Sequence, residues 1–199
     1  MILVQTSSAA PLPWKNGGGV TRELLRLPAD GGDDWTLRIS VADIAADGPF
    51  SPFPGITRWF AVLEGGGVRL AFPDRALNVQ RGDAPLRFDG DDAPGCALLD
   101  GPTRDLNVMV RHARADSLVT AATFLDEAEP GTSPGFGFFA LQPLSLHGAG
   151  ALPVPMPAMS LAWCETPFDA SHAWSVEPTG ATQEHTLPGY WIRLLPHKR

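Results

Sequence analysis

Trp35-Thr36-Leu37-Arg38-Ile39-Ser40-Val41 alternates apolar and polar side chains without a break. Successive side chains of an extended chain point to opposite faces, so this is the pattern of a strand with one face buried. Residues 21–27 admit the same reading, with Arg22, Leu24 and Arg26 on one side. Residues 58–64 continue it and run into Glu64-Gly65-Gly66-Gly67, a turn tolerant of positive φ. Val68, Leu70 and Phe72 then alternate with Arg69 and Ala71, which predicts that the two segments form a hairpin. Shorter strands are expected at 77–79, 86–88, 96–99 and 105–111, punctuated by Gly82-Asp83, Asp89-Gly90 and Asp100-Gly101-Pro102. Closely spaced strands without intervening helices predict an all-β sandwich, jelly roll or barrel.

Beyond Arg111 the pattern is less regular. Residues 116–125 read equally as a short helix or a strand. Residues 129–158 are rich in Pro and Gly, yet Phe136, Phe138, Phe139, Leu141 and Leu144 are interleaved, which favours an ordered loop with a strand over a linker. Residues 160–164 and 190–195 read as closing strands. The expected organisation is two small β modules, 1–115 and 116–199, in one compact body.

Composition supports this and narrows function. Of 199 residues, 44% are hydrophobic and 19% charged, a globular balance, and the 21 Gly and 20 Pro suit many short strands joined by turns. Lys and Arg number 15 against 22 Asp and Glu, a net charge of −7 without a basic stripe, so nucleic acid is not an expected partner. No run approaches the roughly 18 apolar residues of a membrane span. The opening residues lack the basic segment of a secretory signal, so a cytoplasmic location is expected. Cys96 and Cys164 are far apart and predict neither a disulfide framework nor a thiolate zinc site.

Three segments carry candidate chemistry. Trp14-Lys15-Asn16-Gly17-Gly18-Gly19-Val20-Thr21-Arg22-Glu23 combines backbone-permissive glycines with the donors Lys15, Asn16 and Arg22, and reads either as an anion nest or as a bend entering a strand. The lysine precedes the glycines, contrary to a nucleotide phosphate loop. Gly48-Pro49-Phe50-Ser51-Pro52-Phe53-Pro54-Gly55 is a stiff loop whose phenylalanines can wall a pocket. Arg58 follows, either a strand-edge charge or, if turned into a cavity, a planar donor suited to a carboxylate. In the third segment, 100–109, Asp105, Asn107 and Met109 share one strand face and Leu106, Val108 and Val110 the other. That polar face, like Arg38 and Ser40, is either the solvent side or the lining of a lumen. The five histidines never form His-x-His, so no metal is expected, His112 being the best single candidate. Neither a Gly-x-Ser-x-Gly elbow nor a dinucleotide fingerprint occurs, and no cofactor is expected.

Taken together, Trp14–Gly19 with Thr21-Arg22-Glu23, Trp35 with Arg38-x-Ser40, the Gly48–Gly55 loop with Arg58, and the 100–109 run resemble the HutD/Ves family. The match is dense over about residues 12–112 and diffuse afterwards. The resemblance implies a bicupin: two double-stranded β-helix (jelly-roll) barrel modules without the usual cupin metal ligands. It also implies a link to histidine utilisation, with binding of an intermediate such as urocanate or formylglutamate restraining the pathway. Family sequences carry an aspartate before the arginine; here it is Thr57.

Carried onto this chain, the implied ligand site takes Lys15, Asn16, Arg22, Arg38, Ser40, Phe50, Ser51, Phe53 and Arg58. Asp105 and Asn107 either join it or tie strands together, and Trp14 either stacks on a planar ring or belongs to the core. The leading expectation is a metal-independent small-carboxylate-binding protein with a regulatory role in histidine catabolism. The alternative is a metal-independent isomerase or hydrolase of a related acid, with Glu23 or Asp105 as general base and Lys15 or an arginine steadying negative charge. A third reading is a structural module with a filled lumen. Edge-to-edge pairing of cupin-type sheets makes a homodimer a candidate state.

Overall fold

Strands take up more than half of the described residues. The computed structural model describes residues 1–124, 133–148, 152–165, 173–179 and 186–197. In chain order the strands are β1 (Ile2–Gln5), β2 (Pro11–Pro13), β3 (Gly19–Leu27), β4 (Leu37–Ile44), β5 (Gly48–Pro49), β6 (Ile56–Glu64), β7 (Val68–Ala71), β8 (Ala76–Val79), β9 (Leu86–Asp89), β10 (Gly95–Leu98) and β11 (Thr103–Arg111). They continue as β12 (Ala115–Ala121), β13 (Gly135–Ala140), β14 (Leu144–Gly148), β15 (Val154–Met156), β16 (Ser160–Cys164), β17 (Trp174–Pro178) and β18 (Gly189–Pro196). Helix among the described residues is confined to the 3-10 turns Thr6–Ser8 and Gly90–Asp92.

The chain divides into two compact units, Ala9–Ala115 and Met1–Ser8 with Asp116–Arg199. In the first, a six-stranded antiparallel sheet ordered β2-β3-β4-β11-β6-β9 faces a four-stranded sheet ordered β5-β10-β7-β8. Ile44, Phe60 and Val62 of the larger sheet pack with Val68, Leu70, Val79 and Cys96 of the smaller to make the core. β2 keeps two prolines in a strand because it lies at the sheet edge, where a missing donor costs little.

The second unit has a five-stranded sheet, β1-β16-β13-β18-β12, and a three-stranded one, β15-β14-β17. Phe136, Phe138, Trp174 and Trp191 fill its core, with Phe136 stacked on Trp191 at 5.4 Å. Each unit is therefore a double-stranded β-helix of the cupin (jelly-roll) kind.

Three expectations need correction. The modules are not barrels, because among the described residues each pair of sheets stays open at its edges. The predicted β6–β7 hairpin does not form: the two strands belong to different sheets, and Glu64-Gly65-Gly66-Gly67 carries the chain from one layer to the other. Residues 24 and 26 do not continue the alternation of Arg22, because a bulge between Glu23 and Leu25 inserts Leu24 and brings Arg26 to the face of Glu23. The ambiguous 116–125 segment is strand over Ala115–Ala121, and residue 125 lies outside the described residues.

At the corner between layers, Gly65 has φ +91°, and a Cβ there would run into the Pro102 carbonyl. Gly65→Ala is expected to cost about 1–3 kcal/mol of stability, seen as a lower urea midpoint. An unchanged midpoint would contradict this account of the corner.

Candidate functional site

Strand register decides what lines the space between the sheets of the Ala9–Ala115 unit. β11 pairs with β4 and β6 so that Met109 lies between Arg38 and Arg58, and Asn107 between Ser40 and Phe60. Asp105 lies between Ala42 and Val62. These cross-strand rows share one face of the sheet. With the Gly48–Gly55 loop and the Trp14 turn they enclose a half-open pocket of about 470 Å³, wholly inside this unit. Leu12, Pro13, Trp14, Pro49, Phe50, Phe53 and Met109 give it apolar walls, and Arg38, Ser40, Arg58, Asp105 and Asn107 converge as the polar groups. A small set of polar groups in an apolar cleft is the usual make-up of a small-molecule site.

Arg58 is the unusual member. It is only 6% exposed, and its guanidinium carbon lies 4.7 Å from the Phe50 ring centroid, 5.1 Å from Phe88 and 5.7 Å from Phe53. Among the described residues its one side-chain hydrogen bond runs from Nη2 to Asn107 Oδ1 at 2.7 Å, and its Nε has no partner there. Among the described residues no carboxylate comes within ion-pair distance of it. Burial lowers its pKa to about 10, opposed by Asp105, with Arg38 lowering it further. The group stays protonated at neutral pH, as arginine does.

Asp105 sits at the other end of the same chain of hydrogen bonds. Arginine can only donate, so Asn107 must turn its oxygen to Arg58, which leaves its amide NH2 to donate to Asp105 Oδ1. The second carboxyl oxygen, Oδ2, is buried without a partner. Burial pushes the Asp105 pKa up to about 8; Arg58 and the Asn107 hydrogen bond oppose that and Asp43 adds to it. The carboxyl is therefore largely protonated at neutral pH, and Arg58 has no ionised carboxylate beside it among the described residues.

Glu23 has another task. Its Oε2 accepts from Arg38 Nε at 2.7 Å and from Arg26 Nη2 at 2.8 Å. Burial would raise its pKa, but these two hydrogen bonds outweigh burial and hold it below the usual range. Glu23 thus anchors Arg38 against the pocket wall. The bulge at Leu24 makes this possible by placing Arg26 on the same face.

The glycine-rich segment shapes one rim. Trp14 donates from its indole to Thr21 Oγ1 at 2.8 Å, Asn16 Oδ1 accepts from the Gly18 amide, and Trp14 packs on the core. A Cβ on Gly19 would lie 2.5 Å from the Asp43 carbonyl oxygen and 3.0 Å from the Trp14 ring, so only glycine lets the ring sit there. Lys15 and Asn16 are exposed at the rim.

Of the sequence-predicted ligand residues, Trp14, Lys15, Asn16, Arg38, Ser40, Phe50, Ser51, Phe53, Arg58, Asp105 and Asn107 come together around this pocket. Arg22 does not. Thr21 faces the pocket, so its neighbour points through the opposite face of the sheet, where Arg22 Nη1 pairs with Asp43 Oδ2 at 2.6 Å. Met109, Thr21 and Ala42 line the pocket without having been proposed as ligand residues, although strand period two places all three beside candidates that were. Phe88, reached by the cross-strand pairing Arg58↔Phe88, has no local sequence signal. Among the described residues no group of three His, Cys, Asp or Glu side chains forms a metal site. His112 is exposed, and His172 and His185 lie outside the described residues.

Two open β-sandwiches of jelly-roll build define the class: a cupin-type β protein. More narrowly, the chain belongs to the HutD family, which is associated with histidine utilisation and whose model matches residues 6–179. It is 36% identical over 107 residues to the uncharacterized 21.2 kDa protein in the hutC 3′ region of Pseudomonas putida, covering 54% of this chain and 56% of that one. It is 37% identical over 110 residues to Protein Ves of Citrobacter koseri, covering 55% and 57% respectively. The match thus spans about half the length of these curated relatives. HutD from Pseudomonas fluorescens SBW25 (formate condition) has the same fold, with a TM-score of 0.82 at 24% identity over 99% of both chains.

The raised Asp105 pKa has a consequence for stability. An unfolded aspartate ionises near pH ~3.9, whereas the folded one holds its proton to about pH 8. Between those values the unfolded chain binds fewer protons, so this residue makes stability fall as pH rises, levelling above pH 8. Thermal melts at pH 5 and pH 8 are expected to show Asp105→Asn gaining on the wild type at the higher pH. An identical difference at both pH values would contradict the assignment.

Proposed function

We propose that this protein is a metal-independent receptor for a small carboxylate and serves as a regulatory component of histidine catabolism. A pathway intermediate such as urocanate or formylglutamate is the ligand under this reading. One observation carries it: a buried guanidinium lines a pocket and, among the described residues, has no carboxylate within ion-pair distance. A buried cation without a counter-ion is costly, whereas a carboxylate brought beside its guanidinium supplies the missing charge. The aromatic walls suit the planar or apolar remainder of such an acid.

A second reading has an observation of its own. Asp105, protonated at neutral pH inside the pocket, has the state a general acid needs. Glu23 is a poor general base, being held low in pKa by two arginines. An isomerase or hydrolase would therefore depend on Asp105.

The test is thermal stability of metal-free protein with urocanate or formylglutamate. Ligand at about 100 times its dissociation constant adds about 2.7 kcal/mol, a plain rise in melting temperature. Arg58→Ala is expected to lose that rise, and Arg22→Ala, on the opposite sheet face, to keep it. Equal shifts in wild type and Arg58→Ala would remove Arg58 from the site. Turnover of either acid that depends on Asp105 would favour the enzyme.

A further inference from the structure

Resting on the acid-binding reading, we propose that Asp105 is a proton-controlled internal competitor for the ligand anion: neutral, it leaves Arg58 free to bind an acid, and ionised, it closes the site. The pocket geometry supplies the argument. Asp105 touches Arg58 only through Asn107, whose amide transmits charge in one sense, oxygen toward the cation and NH2 toward the carboxyl. Two buried atoms flank this bridge without partners, Arg58 Nε and Asp105 Oδ2. The first is a donor. The second is a donor only while Asp105 holds its proton; as a carboxylate it would be a buried acceptor with nothing to accept.

The charges around Asp105 leave it alone in this role. From β6 it meets Arg58, the cation it competes for. From β4 come Arg38, already engaged by Glu23, and Asp43, which lies on the opposite face with Arg22 and Arg104. From β10 comes the Cys96 thiol, which burial pushes up to about 12, so it is uncharged wherever the protein functions. An entering carboxylate puts a second negative charge beside Asp105, and two ionised carboxyls sharing one site are disfavoured, so one proton stays. Once Asp105 ionises, Arg58 has an internal counter-charge and the driving force for capturing an external one falls away. Binding and protonation are then linked, each favouring the other by the same factor.

Formate is the smallest probe of this coupling and stays ionised throughout the range of interest. Its affinity for the full chain, followed by protein NMR from pH 6.5 to pH 9.5, is expected to be level below about pH 8 and to weaken by up to about tenfold per pH unit above it. Asp105→Asn should bind formate with a profile that stays flat across pH 8, from pH 6.5 to about pH 9, where Arg58 is still charged. Calorimetry on the wild type at pH 8.5, in buffers of different ionisation enthalpy, should register net uptake of up to one proton per formate, and it needs no variant to fold. Formate binding that depends on Arg58 but is flat in pH and takes up no proton overturns the competitor role while leaving the acid site standing. Absence of formate binding at every pH, or binding untouched by Arg58→Ala, overturns the acid site itself.

Discussion

A positive charge buried among aromatic rings constrains everything around it. The Arg58 guanidinium lies within 6 Å of three phenylalanine centroids and donates to one amide oxygen. Cation–π contacts at these distances contribute up to about 2 kcal/mol each when desolvated. They lessen the cost of burying the ion without cancelling its charge. The neighbouring carboxyl does not cancel it either, because burial keeps Asp105 protonated. The fold thus holds a cation in place with no carboxylate at ion-pair distance among the described residues.

Holding it there takes most of the first unit. Arg58 sits on a nine-residue strand, β6, whose partners β11 and β9 fix it opposite Met109 and Phe88. The proline-rich loop brings Phe50 and Phe53 over it, anchored by Phe50 and Phe53 amides donating to the Pro94 and Gly90 carbonyls. Three strands away, on β3, the bulge at Leu24 turns Arg26 and Glu23 into a brace for Arg38. The rim depends on Gly19, whose missing side chain makes room for Trp14. Arg22, Asp43, Arg104 and Glu64 form a separate ion-pair network on the far face. Such half-exposed pairs contribute little individually.

Much of this was legible in the residues. Period-two alternation located β4 and β11, an unbroken apolar run after Arg58 located β6, and the alternation put Asp105, Asn107 and Met109 on one face. What escaped depended on pairing rather than on local pattern. Arg22 looks like a ligand residue because it adjoins the glycine-rich turn, yet a strand separates neighbours by a half-turn and sends it away from Thr21. The Leu24 bulge is invisible because the inserted Leu24 and the Leu25 after it are alike, and the local pattern does not mark which of them is extra. Glu64–Gly67 reads as a hairpin turn, since glycines that change layers look the same as glycines that reverse a strand. β17, Trp174–Pro178, alternates over too few residues to mark a strand by itself.

The most direct test is a crystal structure of the full chain with urocanate. A carboxylate oxygen within roughly 2.7–3.0 Å of an Arg58 nitrogen, with the ring against Phe50 or Trp14, is the result this account predicts. Urocanate bound elsewhere, with Arg58 still bonded only to Asn107 and its Nε facing water or protein, would contradict it.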